Sequence, residues 1–201
     1  MPAADSLPFF RAWLAAPLRV AAVAPSGAAL AKLITSEISE KTGHILELGP
    51  GTGAFTRALL ARGVAERDLT LVEFDANFSR MLGYRFPEAR ILHMDASRLH
   101  RADLFPGQLV GASVSGLPLL SMPKRKVMRI LDGVFRSLRP GAALYQFTYG
   151  PRCPVPRPVL DRLGLKAVRI GGTYANLPPA AVYRISQRKT RRLPPSAATG
   201  I

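Results

Sequence analysis

The chain has 201 residues, 48% of them hydrophobic and 20% charged, which is ordinary globular usage and enough length to bury one sizeable core without disulfides or metal. One cysteine, Cys153, excludes an internal disulfide, three scattered histidines offer no metal-ligand spacing, and no apolar run approaches the ~18–20 residues that span a bilayer. The 28 Lys and Arg against 13 Asp and Glu give a formal charge of +15, a field that favours polyanions, either nucleic acid or an anionic membrane face.

At the N-terminus, Leu7, Phe10, Trp13, Leu14 and Leu18 recur at three- and four-residue spacing, beside Phe9 and flanked by Arg11 and Arg19. This spacing predicts a short amphipathic helix that Pro17 bends or divides. Its stripe suits packing on the domain, while Trp and paired Phe beside Arg also suit the headgroup layer of a membrane. The start lacks the basic n-region of a signal peptide, and a reducing cytosol is the expected compartment. A second helix is predicted over residues 28–38, with Ser26 or Gly27 as its N-cap and Leu30, Leu33, Ile34 and Ile38 on one face.

Ile45 to Leu48 then reads as a buried strand that empties into Gly49, Gly51 and Gly53, after which helical spacing resumes from Ala54. Glycines let the backbone approach a ligand, and the free N–H groups of the following helix favour negative charge. The pattern also satisfies the dinucleotide fingerprint, so Glu73 adds the discriminating detail. It follows a second strand-like run roughly 20 residues on, the usual offset of an acid that takes ribose hydroxyls. From Ile45 onward, strands near 45–48, 69–74, 90–94, 109–115 and 142–149 alternate with helices near 53–62, 76–86 and 122–138 and a further helical segment at 98–104. Such alternation implies a mostly parallel sheet with both faces covered and ligands at the carboxyl ends of its strands. Leu165–Ile170 and Ala181–Ile185 flank Gly171-Gly172 and read as a closing antiparallel hairpin. The last residues, 187–201, are basic, lack apolar periodicity and are expected to be a disordered tail.

Glu47-Leu-Gly-Pro-Gly-Thr-Gly53, Val72-Glu-Phe-Asp75 and His93-Met-Asp-Ala-Ser97 resemble the first three motifs of class I S-adenosylmethionine-dependent methyltransferases. The acidic Glu47, two residues before the first glycine, fits that family better than a nicotinamide enzyme. The resemblance implies an α/β, Rossmann-like domain over residues 20–186, with a seven-stranded, mostly parallel sheet and a C-terminal antiparallel hairpin. It implies S-adenosyl-L-methionine as cofactor, with S-adenosyl-L-homocysteine as product. The three glycines would back its methionine part, Glu73 would hold the ribose, Asp95 with the Ala96 N–H would read the adenine edge, and Glu47 and Phe74 would be further cofactor contacts. Ser26 and Ser115 are further candidate contacts.

The fourth motif bears on the substrate. Base-amine methyltransferases place Asn or Asp, any residue, Pro and an aromatic residue there, the last stacking on the flipped base. Here the stretch is Ser115-Gly-Leu-Pro-Leu-Leu-Ser121, so Ser115 replaces the amide and Leu119 the aromatic. The chain looks most like the rRNA adenine dimethyltransferases overall. Val23-Ala-Pro-Ser26, the Ser115–Leu120 stretch and Asn176-Leu-Pro-Pro-Ala180 nevertheless resemble soluble bacterial phospholipid N-methyltransferases, which convert phosphatidylethanolamine to phosphatidylcholine. That resemblance implies a monomeric enzyme peripheral on the inner face of the cell membrane, with a phospholipid substrate and no nucleic acid or metal. Residues 1–19, with Phe9, Phe10, Arg11, Trp13, Leu14 and Arg19, would then be the membrane anchor, aided by the Lys124-Arg125-Lys126 cluster with Arg129. The Ser115 hydroxyl and the Gly116 or Leu117 carbonyl would hold the lipid amine, and Tyr145, Tyr149 or Tyr174 the quaternary product by cation–π contact. The rivals are an RNA adenine N6-methyltransferase and a non-catalytic binding protein; the second is opposed by retention of Glu47, the glycines, Glu73 and Asp95.

Overall fold

The computed structural model describes residues 25–101, 105, 109–173 and 179–188. Its seven strands are β1 (Ile45–Leu48), β2 (Leu69–Glu73), β3 (Arg90–His93), β4 (Ala112–Ser115), β5 (Ala143–Tyr149), β6 (Leu165–Thr173) and β7 (Ala180–Gln187). Five helices accompany them: α1 (Pro25–Ile34), α2 (Ala54–Ala61), α3 (Ala76–Arg85), α4 (Lys124–Ser137) and α5 (Arg157–Arg162).

The strands form one sheet in the order β3-β2-β1-β4-β5-β7-β6. β1 to β5 pair in parallel, and β7 runs antiparallel between β5 and β6. This is the expected mostly parallel sheet with its closing hairpin. Every residue of β1, β2 and β4 is buried, as continuous apolar runs require when helices cover both faces. One core cluster joins α1, α2 and α3 to the first face through Leu30, Ile34, Leu59, Leu82 and Phe86. The other joins α4 and α5 to the second face through Val127, Ile130, Leu131, Val134, Val159 and Leu160. On α4 those apolar residues recur at three- and four-residue steps, leaving Lys124, Arg125 and Arg129 exposed.

Three local features differ from expectation. Pro25 opens α1, so Ser26 and Gly27 lie inside its first turn rather than capping it, as suits a residue with no N–H to satisfy. Gly171 and Gly172 do not form the hairpin turn; β6 continues through both to Thr173, with a register shift between Arg169 and Gly171. The helical segment at 98–104 is a 3-10 stretch, Ala96–Arg101, whereas α5 had no counterpart in the expected elements. Phe9, Phe10, Arg11, Trp13, Leu14, Arg19, Tyr174 and residues 189–201 lie outside the described residues.

The order of strands reverses direction at β1, which has β2 on one side and β4 on the other. Crevices form at the carboxyl ends of strands at such a point. The backbone beneath β4 is equally constrained, because a Cβ on Gly111 would lie 1.8 Å from the Thr42 carbonyl oxygen. Gly111→Ala is expected to lower stability by about 1–3 kcal/mol through overpacking. Gly83→Ala, on α3 where an added Cβ meets nothing within 4 Å, should raise it by about 0.5–1 kcal/mol. Urea unfolding midpoints of the two variants measure both.

Candidate active site

The glycine loop leaves β1 with Gly49, Gly51 and Gly53 at φ of 63°, 54° and 79°, a left-handed backbone that other residues rarely adopt. This turn brings the Gly51 N–H to the end of β2, where it donates to Glu73 Oε2 at 3.0 Å. The other carboxylate oxygen, Oε1, accepts from the Asp75 N–H at 2.9 Å. Asp75 in turn caps α3, accepting from the Asn77 and Phe78 N–H groups at 2.8 and 3.0 Å. A cleft of about 380 Å³ lies over these groups.

Gly49, Gly51, Glu73, Phe74, Asp95, Ala96, Gly116 and Leu117 all line that cleft, so three separate motifs of the sequence converge on one crevice. Phe74 is 72% exposed, an aromatic face open to a ligand. Glu47, Gly53 and Ser115 do not line it. Gly53 faces α3, where a Cβ would meet the Phe86 ring at 2.7 Å. Glu47 lies beneath the loop, fully buried, and its Oε2 accepts from the Thr56 hydroxyl at 2.8 Å. Its Oε1 has no hydrogen-bond partner among the described residues. Burial raises its pKa to about 8, with the Glu73 charge pushing in the same direction and the Thr56 bond opposing both.

Lys126, expected in a membrane-docking cluster on α4, instead turns into the cleft. Its Nζ bonds Asp95 Oδ2 at 2.8 Å across the cleft, and Asp95 Oδ1 accepts from the Ser97 N–H at 2.8 Å. Burial alone would raise the Asp95 pKa, but the bonds from Lys126 and Ser97 outweigh it and hold the carboxyl below its usual value. Ile130, one helical turn on from Lys126 along α4, lines the cleft beside it.

The fourth motif is arranged differently from expectation. Ser115 is 1% exposed, and its hydroxyl oxygen accepts from the Leu117 N–H at 3.2 Å, so it supports the loop instead of facing a substrate. The Leu117 carbonyl accepts from Gln146 Nε2 at 2.9 Å, and the same amide donates to the Phe147 carbonyl at 2.8 Å. Gln146 is buried opposite Ser115 in the β4–β5 register, with Oε1 unpartnered among the described residues. Leu119 is 3% exposed and packs in the core, yet it also lines the small recess beside the cleft, a leucine where base-amine methyltransferases carry an aromatic ring. A smaller recess of about 40 Å³ adjoins the cleft through Leu117 and Pro118 and includes Phe147 and Tyr149. The two rings meet edge to face at 5.5 Å. Tyr145 sits at the far end of the same strand face, its hydroxyl donating to Glu37 at 3.0 Å, and so is removed from the site. Among the described residues no group of three or more His, Cys, Asp or Glu could hold a metal ion.

The fold is that of the class I S-adenosylmethionine-dependent methyltransferase superfamily. The chain superposes on a DhpI–SAH complex with a TM-score of 0.63 at 16% identity, covering 90% of this chain and 95% of that one. A TehB-like SAM-dependent methyltransferase from Corynebacterium glutamicum gives 0.60 at 15% identity over 93% of this chain and 100% of the other. No protein-family model matches the sequence. More particularly, the chain is 42% identical over 66 residues to ribosomal RNA small subunit methyltransferase A of Parabacteroides distasonis, covering 32% of this chain and 24% of that protein. The protein of the same name from Porphyromonas gingivalis is 35% identical over 106 residues, 51% of this chain and 40% of its own length. The chain thus spans well under half the length of these curated relatives.

Those relatives carry an RNA substrate in their name, and this overturns the expectation of a phospholipid substrate, an anionic membrane partner and no nucleic acid. The physical error lay in the fourth motif, where the expected substrate contact, the Ser115 hydroxyl, is buried and bonded to the Leu117 N–H.

Glu47 makes the site pH-sensitive. A carboxyl at about 8 in the folded chain and near 4.5 when unfolded holds its proton only in the native state between those values. Stability from this group is therefore complete below pH 4.5 and is lost as pH rises towards 8, by up to about 1.4 kcal/mol per pH unit. Glu47→Gln should flatten that part of the profile in urea unfolding across pH 5 to 9.

Proposed function

We propose that this protein transfers methyl groups from S-adenosylmethionine to an adenine amine of ribosomal RNA. Identity of 35–42% to ribosomal RNA small subunit methyltransferases over the segments matched is the observation that carries this reading. The site fits the cofactor in shape and acceptors: a glycine-walled cleft, two acids at its nucleoside end and a buried Glu47 oxygen without a partner beneath the loop.

In this reading Gly49 and Gly51 admit the methionine part close to the backbone, with the buried, protonated Glu47 carboxyl beneath them. Glu73 accepts from the ribose hydroxyls while its backbone donors keep it fixed. Phe74 offers its exposed face to the adenine, and Asp95 accepts from the adenine amine, with Lys126 moving aside or sharing the carboxylate. When bound, the cofactor supplies an electrophilic methyl on a sulfonium. The protein's own contribution is orientation. The loop from Gly116 to Pro118 forms the seam between cleft and recess, Gln146 holds its Leu117 carbonyl, and Tyr149 presents a ring to the incoming base. No side chain in the seam is placed as a strong base, so the proton leaves to water.

Incubating the full chain with methyl-labelled S-adenosylmethionine and small-subunit rRNA lacking the modification should label adenine; absence of label in that RNA would overturn the assignment. Glu73→Ala should weaken cofactor binding by about 100-fold, the value of two hydrogen bonds to a charged acceptor. Isothermal titration with S-adenosylmethionine reads this directly, and unchanged affinity would remove Glu73 from the ribose site.

A further inference from the structure

A second and larger depression, of about 620 Å³, lies at the opposite end of the sheet from the cofactor cleft. It is bounded by the residues leading into β4 and β5 and by the last residues of β7. Its walls carry four cations, Arg139, Lys166, Arg184 and Arg188, against one carboxylate, Glu37. That carboxylate is already committed, accepting from the Tyr145 hydroxyl at 3.0 Å and from Arg184 at 3.1 and 3.2 Å. Arg188 is held by Asp161 and by the Leu165 carbonyl. No carboxylate among the described residues forms an ion pair with Arg139 or Lys166.

Two uncompensated cations on the wall of one concavity repel each other, and a concave low-dielectric surface concentrates their field. The planar guanidinium of Arg139 suits two oxygens of one phosphate, and the Lys166 ammonium suits a neighbouring one. We propose that this groove binds the phosphodiester backbone of the RNA substrate at a point remote from the methylated base. The inference rests on the RNA reading above and adds to it a second contact. The seven residues of β5 separate groove and cleft by roughly 20 Å, so one nucleotide cannot occupy both. An RNA gripped at both ends of the sheet must pass around the hairpin edge or the helical face between them.

The test is a fluorescence-anisotropy titration of the full chain with a labelled single-stranded RNA oligonucleotide over a salt series, comparing wild type with Arg139→Gln/Lys166→Gln. The variant should bind roughly tenfold more weakly at low salt, and its log–log salt slope should be shallower by about 1.4, at about 0.7 per lost phosphate contact on a single strand. S-adenosylmethionine affinity and thermal midpoint should not change. A control with the same loss of charge elsewhere, Arg67→Gln/Arg80→Gln, should stay within about twofold of wild type. If both double variants lose affinity equally, binding follows the diffuse field and the groove proposal falls. If wild type and the groove variant bind alike, the groove proposal falls while the RNA reading stands. Failure of the wild-type chain to bind RNA at all would remove both.

Discussion

The carboxylate of Glu73 is the point on which the candidate active site depends. It accepts one backbone N–H from the glycine loop and one from the segment that starts α3, and so ties the end of β1 to the end of β2. The Gly51 donor reaches it through the left-handed turn at that glycine, and the turn needs a strand order that sets β1 beside β2. A carboxylate held this way has little freedom to rotate. Its remaining lone pairs point where backbone geometry directs them, and orientation of that kind is settled before a ligand arrives.

Three acids around the cleft meet three different environments. Glu47 is shut away from water with one oxygen satisfied, which favours its protonated form. Asp95 has an ammonium against it, which favours its charged form. Glu73 is satisfied by uncharged backbone donors. The same side-chain chemistry is thereby divided among a buried carboxyl that keeps its proton, an ion-paired carboxylate and a carboxylate fixed by backbone donors. On the other side of the cleft the fourth motif is held from behind: Ser115 and Gln146 bond to the backbone of Leu117 from neighbouring strands. Gly116 completes this seam by its lack of a side chain, since a Cβ there would lie 2.6 Å from the Gly49 carbonyl oxygen.

Much of the fold was legible because its signals are local. Buried parallel strands read as short apolar runs, and Pro and Gly punctuate the intervals, so the seven strands fall where the residues indicate. The cofactor side of the site was legible for the same reason, with Gly49, Gly51, Glu73 and Asp95 each at a strand end. What failed depended on distance in three dimensions. Tyr145 and Tyr149 share one face of β5 by alternation, but four residues of strand separate them by roughly 13 Å, and only the second reaches the recess. Gly171-Gly172 resembled a turn, yet the pair extends an edge strand through a register shift. Lys126 was one of a basic cluster on α4, and nothing local distinguishes the lysine that turns inward from the Lys124, Arg125 and Arg129 that stay in water. Ser115 misled for the complementary reason: a position in a motif does not reveal which way its side chain points.

The two edges of the sheet, β3 and β6, have a bearing on how copies of this protein behave in concentrated solution. An open edge offers unpaired N–H and C=O groups to any other strand, and natural sheets blunt that invitation with cations and irregularities. β3 carries Arg90, while β6 carries Lys166 and Arg169 and breaks register just beyond them. A second copy approaching edge to edge would bring like charges together at the spacing of paired strands. The surplus of basic residues that attracts a polyanion therefore also protects the chain from zipping onto itself, and colloidal stability and ligand attraction are two results of the same distribution of charge.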